Sequence, residues 1–164
     1  MRTGVAGNGT IVRRFLKDAA QVEDVRTTAV CVRERSREKG EELAREYGMK
    51  VYTDYETFLR EGDMDTVYVG LINTQHYPYA KQALLAGKHV LCEKPMAVTA
   101  EDCEKMVEAG KKSGKKLMIS HNQRRYEPHR KAKELLERGE IGRLLTFRTF
   151  LGTRGPEYAS VYGN

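Results

Sequence analysis

Apolar and polar positions along the chain keep a repeating rhythm. A short apolar run is followed by a turn, then by a longer stretch with apolar residues three and four apart. Such runs predict strands, and the 3.6-residue period predicts amphipathic helices. "RTGVA" predicts a first strand and "TIVRRFLKDAA" a first helix. "RTTAVCV" is a second strand, and "SREKGEELAREYG" a helix that Ser36 caps and Gly48 stops. The short strand "KVY" precedes "DYETFLRE", a short helix capped by Asp54. "DTVYVGLI" is a strand rich in β-branched and aromatic residues. "YPYAKQALLAG" is a helix that Gly87 ends, and "KHVLCE" the next strand. "TAEDCEKMVEAGKKSG" and "KKLMIS" add a further helix and strand.

Six strands alternating with helices predict an α/β domain, a doubly wound parallel sheet with helices on both faces. The rhythm changes after Ser120. "EPHRKAKELLERG" is a helix with Pro128 in its first turn. "GRLLTFRTFLG" then reads as one long strand with nothing to pair with, and an unpaired strand is an exposed edge. The expected organisation is one domain over 1–120 and the truncated start of a second α+β domain over 121–164.

Composition narrows the picture. With 164 residues, 40% hydrophobic and 32% charged, the chain is long enough for a core and too apolar to be disordered. The net charge of +6 would suit an anionic partner. The basic residues are mixed with acids along the helices, and no zinc spacing or arginine–aromatic stripe appears, so the reading is no nucleic-acid partner. No run approaches the ~18 apolar residues of a membrane span. "MRTGVAGNG" is unlike a signal peptide, and the expectation is a soluble, cytoplasmic protein. Cys31, Cys92 and Cys103 form no C-x-x-C pair, and Cys31 and Cys92 read as small buried hydrophobes. His121 and His129 have no carboxylate or thiol spacing that suggests a metal, and His89 reads as a packed histidine inside a strand.

Chemistry enters where the first strand meets the first helix. "GVAGNGTIVRRF" supplies the G-x-G of a dinucleotide fingerprint in Gly7 and Gly9. Gly7 permits the tight turn, and Gly9 lets the backbone approach a pyrophosphate at the helix N-terminus. Asn8, Thr10 and Ile11 complete the cradle. The third fingerprint position is Val12, where the motif has Gly or Ala. Near the end of strand two, Glu34 can accept the ribose hydroxyls of NAD, which tips the reading to NAD. Arg33, Arg35 and Arg37 surround it, and an arginine such as Arg35 can hold the 2′-phosphate of NADP.

The most specific stretch is "GLINTQHYPYAKQALLAGKHVLCEKPMAVT". It resembles the Gfo/Idh/MocA (glucose–fructose oxidoreductase / inositol dehydrogenase) family, whose members carry T-P-N-x-x-H followed by A-L-x-x-G-K-H-V-x-x-E-K-P. Asn73, His76, Ala83, Leu84, Gly87, Lys88, His89, Val90, Glu93, Lys94 and Pro95 match, with Leu71 and Ile72 in place of T-P. Downstream, Arg125, Tyr126, Pro128, Gly139, Ile141 and Gly142 match the family's R-[FY]-x-P…G-x-I-G segment.

The resemblance implies a Rossmann-type fold, NAD or NADP as cofactor, and a small polyol, sugar or cyclitol substrate whose secondary alcohol and ketone interconvert. It makes Lys94 the catalytic residue, beside the nicotinamide and hydrogen-bonded to the reacting oxygen. Glu93 would orient Lys94 or contact the cofactor, and Lys94–Pro95 suits a cis bond. Asn73 would approach the ribose or nicotinamide, His76 would cap a helix or touch the site, and Asn122 and Arg125 would stand at the domain junction. The family commonly associates through second-domain sheets, so a homo-oligomer is also implied. Relatives carry an acid/base pair in that domain, and residues 130–164 hold no Asp and no His. The chain therefore reads as the cofactor half of such an enzyme, binding dinucleotide with little turnover alone. The alternatives are a non-catalytic dinucleotide-binding sensor or adaptor, and a methyltransferase using the glycine turn for S-adenosylmethionine.

Overall fold

A computed structural model describes residues 1–148 and 150. The chain divides into two compact units, Met1–His121 and a second that starts at Asn122.

The first unit is a six-stranded sheet of β1 (Arg2–Ala6), β2 (Arg26–Cys31), β3 (Lys50–Tyr52), β4 (Thr66–Val69), β5 (His89–Cys92) and β6 (Leu117–Ile119). The strand order is β3-β2-β1-β4-β5-β6, and every pairing is parallel. Five helices connect the strands: α1 (Thr10–Ala19), α2 (Arg37–Tyr47), α3 (Tyr55–Glu61), α4 (Asn73–Leu85) and α5 (Ala100–Ser113).

Alternation along the strands divides the core in two. Val5, Val30 and Tyr68 point to one face and pack with Val12 and Leu16 of α1 and Leu43 of α2. Ala6, Cys31, Val67, Val69, Val90 and Cys92 belong to the other face, with Phe58 of α3, Ala80, Ala83 and Leu84 of α4, and Met106 of α5. All four residues of β4 are buried, as expected of a strand covered on both faces. The helices change face between α2 and α3, so the connections from β1 and β4, neighbours in the sheet, run to opposite sides. In open parallel sheets such a reversal, here at the carboxyl ends of β1 and β4, is where ligands bind.

Several local expectations hold. Gly48 ends α2 in the left-handed region (φ 68), and the Asp54 side chain accepts the Thr57 N–H at 2.8 Å. Others are corrected. Ser36 precedes α2 but makes no side-chain cap, because Glu34–Ser36 first close a 3-10 turn in which the Ser36 N–H donates to the Arg33 carbonyl at 2.8 Å. Helix α4 starts four residues earlier than its apolar period suggests, at Asn73, because its first turn, Asn73–His76, carries only polar side chains.

In the second unit a 3-10 turn, Asn122–Arg125, leads into α6 (Glu127–Glu137), with Pro128 in the first turn. The long strand expected over 142–152 does not form over residues 142–148 or at Phe150; the rest of that stretch lies outside the described residues. A strand is defined by its ladder partners, and among the described residues none pairs with this segment.

Candidate functional site

The register Ala6↔Val69 and Val69↔Cys92 aligns the carboxyl ends of β1, β4 and β5. Neighbouring strands lie about 4.8 Å apart. Three loops therefore leave the sheet side by side: the glycine turn Gly7–Gly9, the segment Gly70–Ile72, and Glu93–Lys94–Pro95.

The first loop is shaped by two glycines that touch. Gly7 has φ 114, and its N–H donates to the Cys31 carbonyl at 2.9 Å. A Cβ there would lie 2.5 Å from the Gly70 carbonyl oxygen. Gly70 in turn makes room for Val12, since a Cβ on Gly70 would lie 2.7 Å from Val12 Cγ2. The small residue that close helix–strand packing needs is thus on β4's side of the contact, and Val12 is fully buried. A degenerate fingerprint and a tight turn are compatible here for that reason.

Gly9 is the N-cap of α1 and carries no capping side chain. No acidic residue stands in the first turn, and a Cβ on Gly9 would meet nothing within 4 Å. Asn8 is half-buried, and Gly9, Thr10 and Ile11 are exposed. The first-turn N–H groups and the positive end of the helix dipole thus face open space, the chemistry that receives a pyrophosphate.

Lys94 is exposed, and the Lys94–Pro95 peptide bond is cis, as the sequence reading expected. Glu93 is only 8% exposed. Its carboxylate accepts the Tyr68 phenol O–H at 2.9 Å and the Lys94 backbone N–H at 3.3 Å. Burial, and then the Glu93 charge, push the Tyr68 phenol far above the usual tyrosine range, so it stays a donor. Tyr68 also stacks on Phe15 of α1 with ring centroids 3.8 Å apart.

His76 is fully buried, with ring nitrogens 2.6 Å from the Pro95 carbonyl oxygen and 2.9 Å from that of Leu71. It lies between the loop after β5 and the loop after β4, and its ring N–H donates to one of these two carbonyls. Asn73 opens α4 and is exposed at the same rim. His89 Nδ1 accepts the Lys116 N–H at 3.0 Å, a link across the connection into β6.

Glu34 lies past the end of β2, in the 3-10 turn. The residue that directly follows β2 is Val32, which is buried. Arg37 grips Glu34 with two bonds, Nε at 2.7 Å and a terminal nitrogen at 3.0 Å. That grip, with Thr53 beside it, pulls the Glu34 carboxyl down to about 2. Arg33 and Arg35 flank it, both exposed. Asn122 and Arg125 belong to the second unit, in its 3-10 turn, and are exposed.

Burial raises the thiols of Cys31 and Cys92 to about 12 each, and all three cysteines are free. Among the described residues no cluster of three or more His, Cys, Asp or Glu is gathered, and no helix is long and apolar enough to cross a membrane.

The residues that pattern reading passed over are Phe15, Tyr68 and Gly70. Their only signals were a hydroxyl inside an apolar strand and a glycine at that strand's end.

The sheet order, the glycine turn and the open helix N-terminus define a Rossmann-type dinucleotide-binding unit. Residues 1–121 match the family GFO_IDH_MocA, described as an oxidoreductase family with an NAD-binding Rossmann fold, and the chain belongs to that family. It is 37% identical over 153 residues to a 1,5-anhydro-D-fructose reductase of Ensifer adhaerens, covering 91% of this chain and 44% of the relative. It is 35% identical over 164 residues to an inositol 2-dehydrogenase of Salmonella paratyphi B, covering 96% of this chain and 48% of the relative. The crystal structure of the WlbA dehydrogenase from Bordetella pertussis in complex with NADH and UDP-GlcNAcA matches with a TM-score of 0.81 at 27% identity, over 87% of this chain and 43% of that one. The chain spans less than half the length of these relatives.

Proposed function

We propose that this chain is the cofactor-binding part of an oxidoreductase that moves hydride between NAD or NADP and a secondary alcohol or ketone of a sugar, cyclitol or related polyol. One observation carries the reading: an uncapped helix N-terminus entered through Gly7 and Gly9 shares a rim with the loop that presents Lys94. The names of the relatives, a fructose-derivative reductase and an inositol dehydrogenase, support a cyclic polyhydroxylated substrate.

Gly7, Asn8, Gly9, Thr10 and Ile11 would receive the pyrophosphate on backbone N–H groups. The nicotinamide, when bound, supplies or accepts the hydride. The Lys94 ammonium would stabilise charge developing on the reacting oxygen and pass a proton to or from it. Glu93 holds the Lys94 backbone, and Asn73 would contact ribose or nicotinamide. His76, fully buried between the Leu71 and Pro95 carbonyls, contributes by holding the rim rather than by touching ligand. Glu34 with Arg35 would read the adenosine ribose. Residues 121–164 would begin a substrate-binding domain, with Asn122 and Arg125 at its entry.

Fluorescence titration of the chain with NADH and with NADPH tests this reading. Saturable binding of NADH that Glu34→Ala weakens is the expected result. Preference for NADPH shifts the ribose contact to Arg35, and binding of neither rejects the site.

A further inference from the structure

The loop that presents Lys94 is not held by its own backbone alone. Glu93, the residue before Lys94, is a carboxylate buried at the end of a central strand, and a buried carboxylate needs donors. It has two: the Tyr68 phenol from β4 and the N–H of Lys94 itself. The same tyrosine ring lies flat against Phe15, with an interplanar angle of 6°. Phe15 sits on α1, whose first turn is the candidate pyrophosphate cradle. A continuous line of contacts thus runs from the cradle helix to the lysine: Phe15 ring, Tyr68 ring, Tyr68 hydroxyl, Glu93 carboxylate, Lys94 peptide.

We propose that Tyr68 is a positioning residue that sets the Lys94 peptide through Glu93 and references it to helix α1. The assignment rests on the reading of Lys94 as the site's polar handle. Three features favour it over simple core packing. A phenylalanine would fill the same space, so the hydroxyl is superfluous for packing. The phenol is held in its donor form by burial and by the carboxylate it faces. And both Glu93 oxygens are used, one from the sheet below and one on the loop above, so the carboxylate acts as a joint between them.

Tyr68→Phe keeps the stacked ring and deletes the joint. The direct readout is amide hydrogen exchange by NMR on the 164-residue chain without cofactor. Loss of one hydrogen bond, worth about a factor of 3–10, should speed exchange at the Lys94 amide by that factor. Val67 and Leu91, inside the ladder, should exchange as in the wild type. A Lys94 amide that stays as slow, or a rise shared by the whole sheet, overturns the proposal. Glu93→Ala removes the Lys94 acceptor itself and tests that half of the joint; a slow Lys94 amide there overturns the proposal even if the phenylalanine variant does not fold.

A binding measurement adds a readout that packing alone would not move. Tyr68→Phe should leave affinity for ADP-ribose within about twofold and weaken NADH by about 3–10-fold, the range of one hydrogen bond. In a Lys94→Ala background the Tyr68→Phe effect on NADH should vanish, because the tyrosine acts through the lysine. An equal loss for both ligands, or a loss that persists without Lys94, overturns the proposal. If the wild-type chain binds neither ligand, the cofactor reading fails, and the exchange experiment still decides whether Tyr68 positions Lys94.

Discussion

A single Cβ decides the first turn. Gly7 adopts φ 114, where side chains are strained, and faces the Gly70 carbonyl at a distance no Cβ tolerates. Gly7→Ala should cost at least ~1–3 kcal/mol from conformation alone, with more from the clash, read as a lowered urea midpoint. Lys94→Ala should leave that midpoint unchanged, since the side chain is exposed. Glu34 offers a test in pH. Its grip by Arg37 lowers the carboxyl from 4.5 to about 2, so its charge persists well into acid and is lost only as pH falls through the lower value. The stability carried by this pair is small, because both side chains are at least half exposed and water screens them. The effect on binding is the useful one. Calorimetric titration with NAD should show a Glu34 contribution that is flat from pH 8 to pH 5. In Arg37→Ala the carboxyl returns toward its ordinary range, and affinity should fall as pH drops below about 5.

At the scale of elements, α1 and β4 fit through the exchange of a large and a small residue between Val12 and Gly70. Gly70→Ala should therefore destabilise the unit by about 1–3 kcal/mol as overpacking. Adding Val12→Ala should recover part of that loss, a non-additivity measurable in a double-mutant cycle. The strands and helices of the first unit were legible because each buries one side of a regular period. Their ends were less so. Asn73–His76 carries no apolar period on its exposed side, so the start of α4 was hidden, and Ser36 looked like a cap because the 3-10 turn before it has no sequence signature. The long strand over 142–152 was read from an apolar pattern that reports a wish for burial, not the partner that would satisfy it. At the site, glycines and the E-K-P loop could be seen by spacing. The Tyr68–Glu93 joint could not, because it links residues 25 apart that only the β4–β5 register brings together.

For the whole molecule, the first unit has its own two-sided core, whereas α6 has no buried residue. A chain ending at His121 should fold alone, with the same urea midpoint as the longer chain by circular dichroism. The second unit exposes Leu145 at 77%, Phe147 at 71% and Phe150 at 95%. Apolar surface of that kind seeks cover, so sedimentation of the 164-residue chain should show self-association that the shorter one lacks. The cysteines give the molecule a further property. Cys31 and Cys92 sit in the sheet with thiols raised to about 12, while Cys103 on α5 is only half-buried. The thiolate is the reactive form. A maleimide dye at neutral pH should therefore mark the native protein once, at Cys103, and reach all three sulfurs only when the sheet opens. The rate at which the second and third labels arrive is a clock for unfolding, already built into the wild-type sequence.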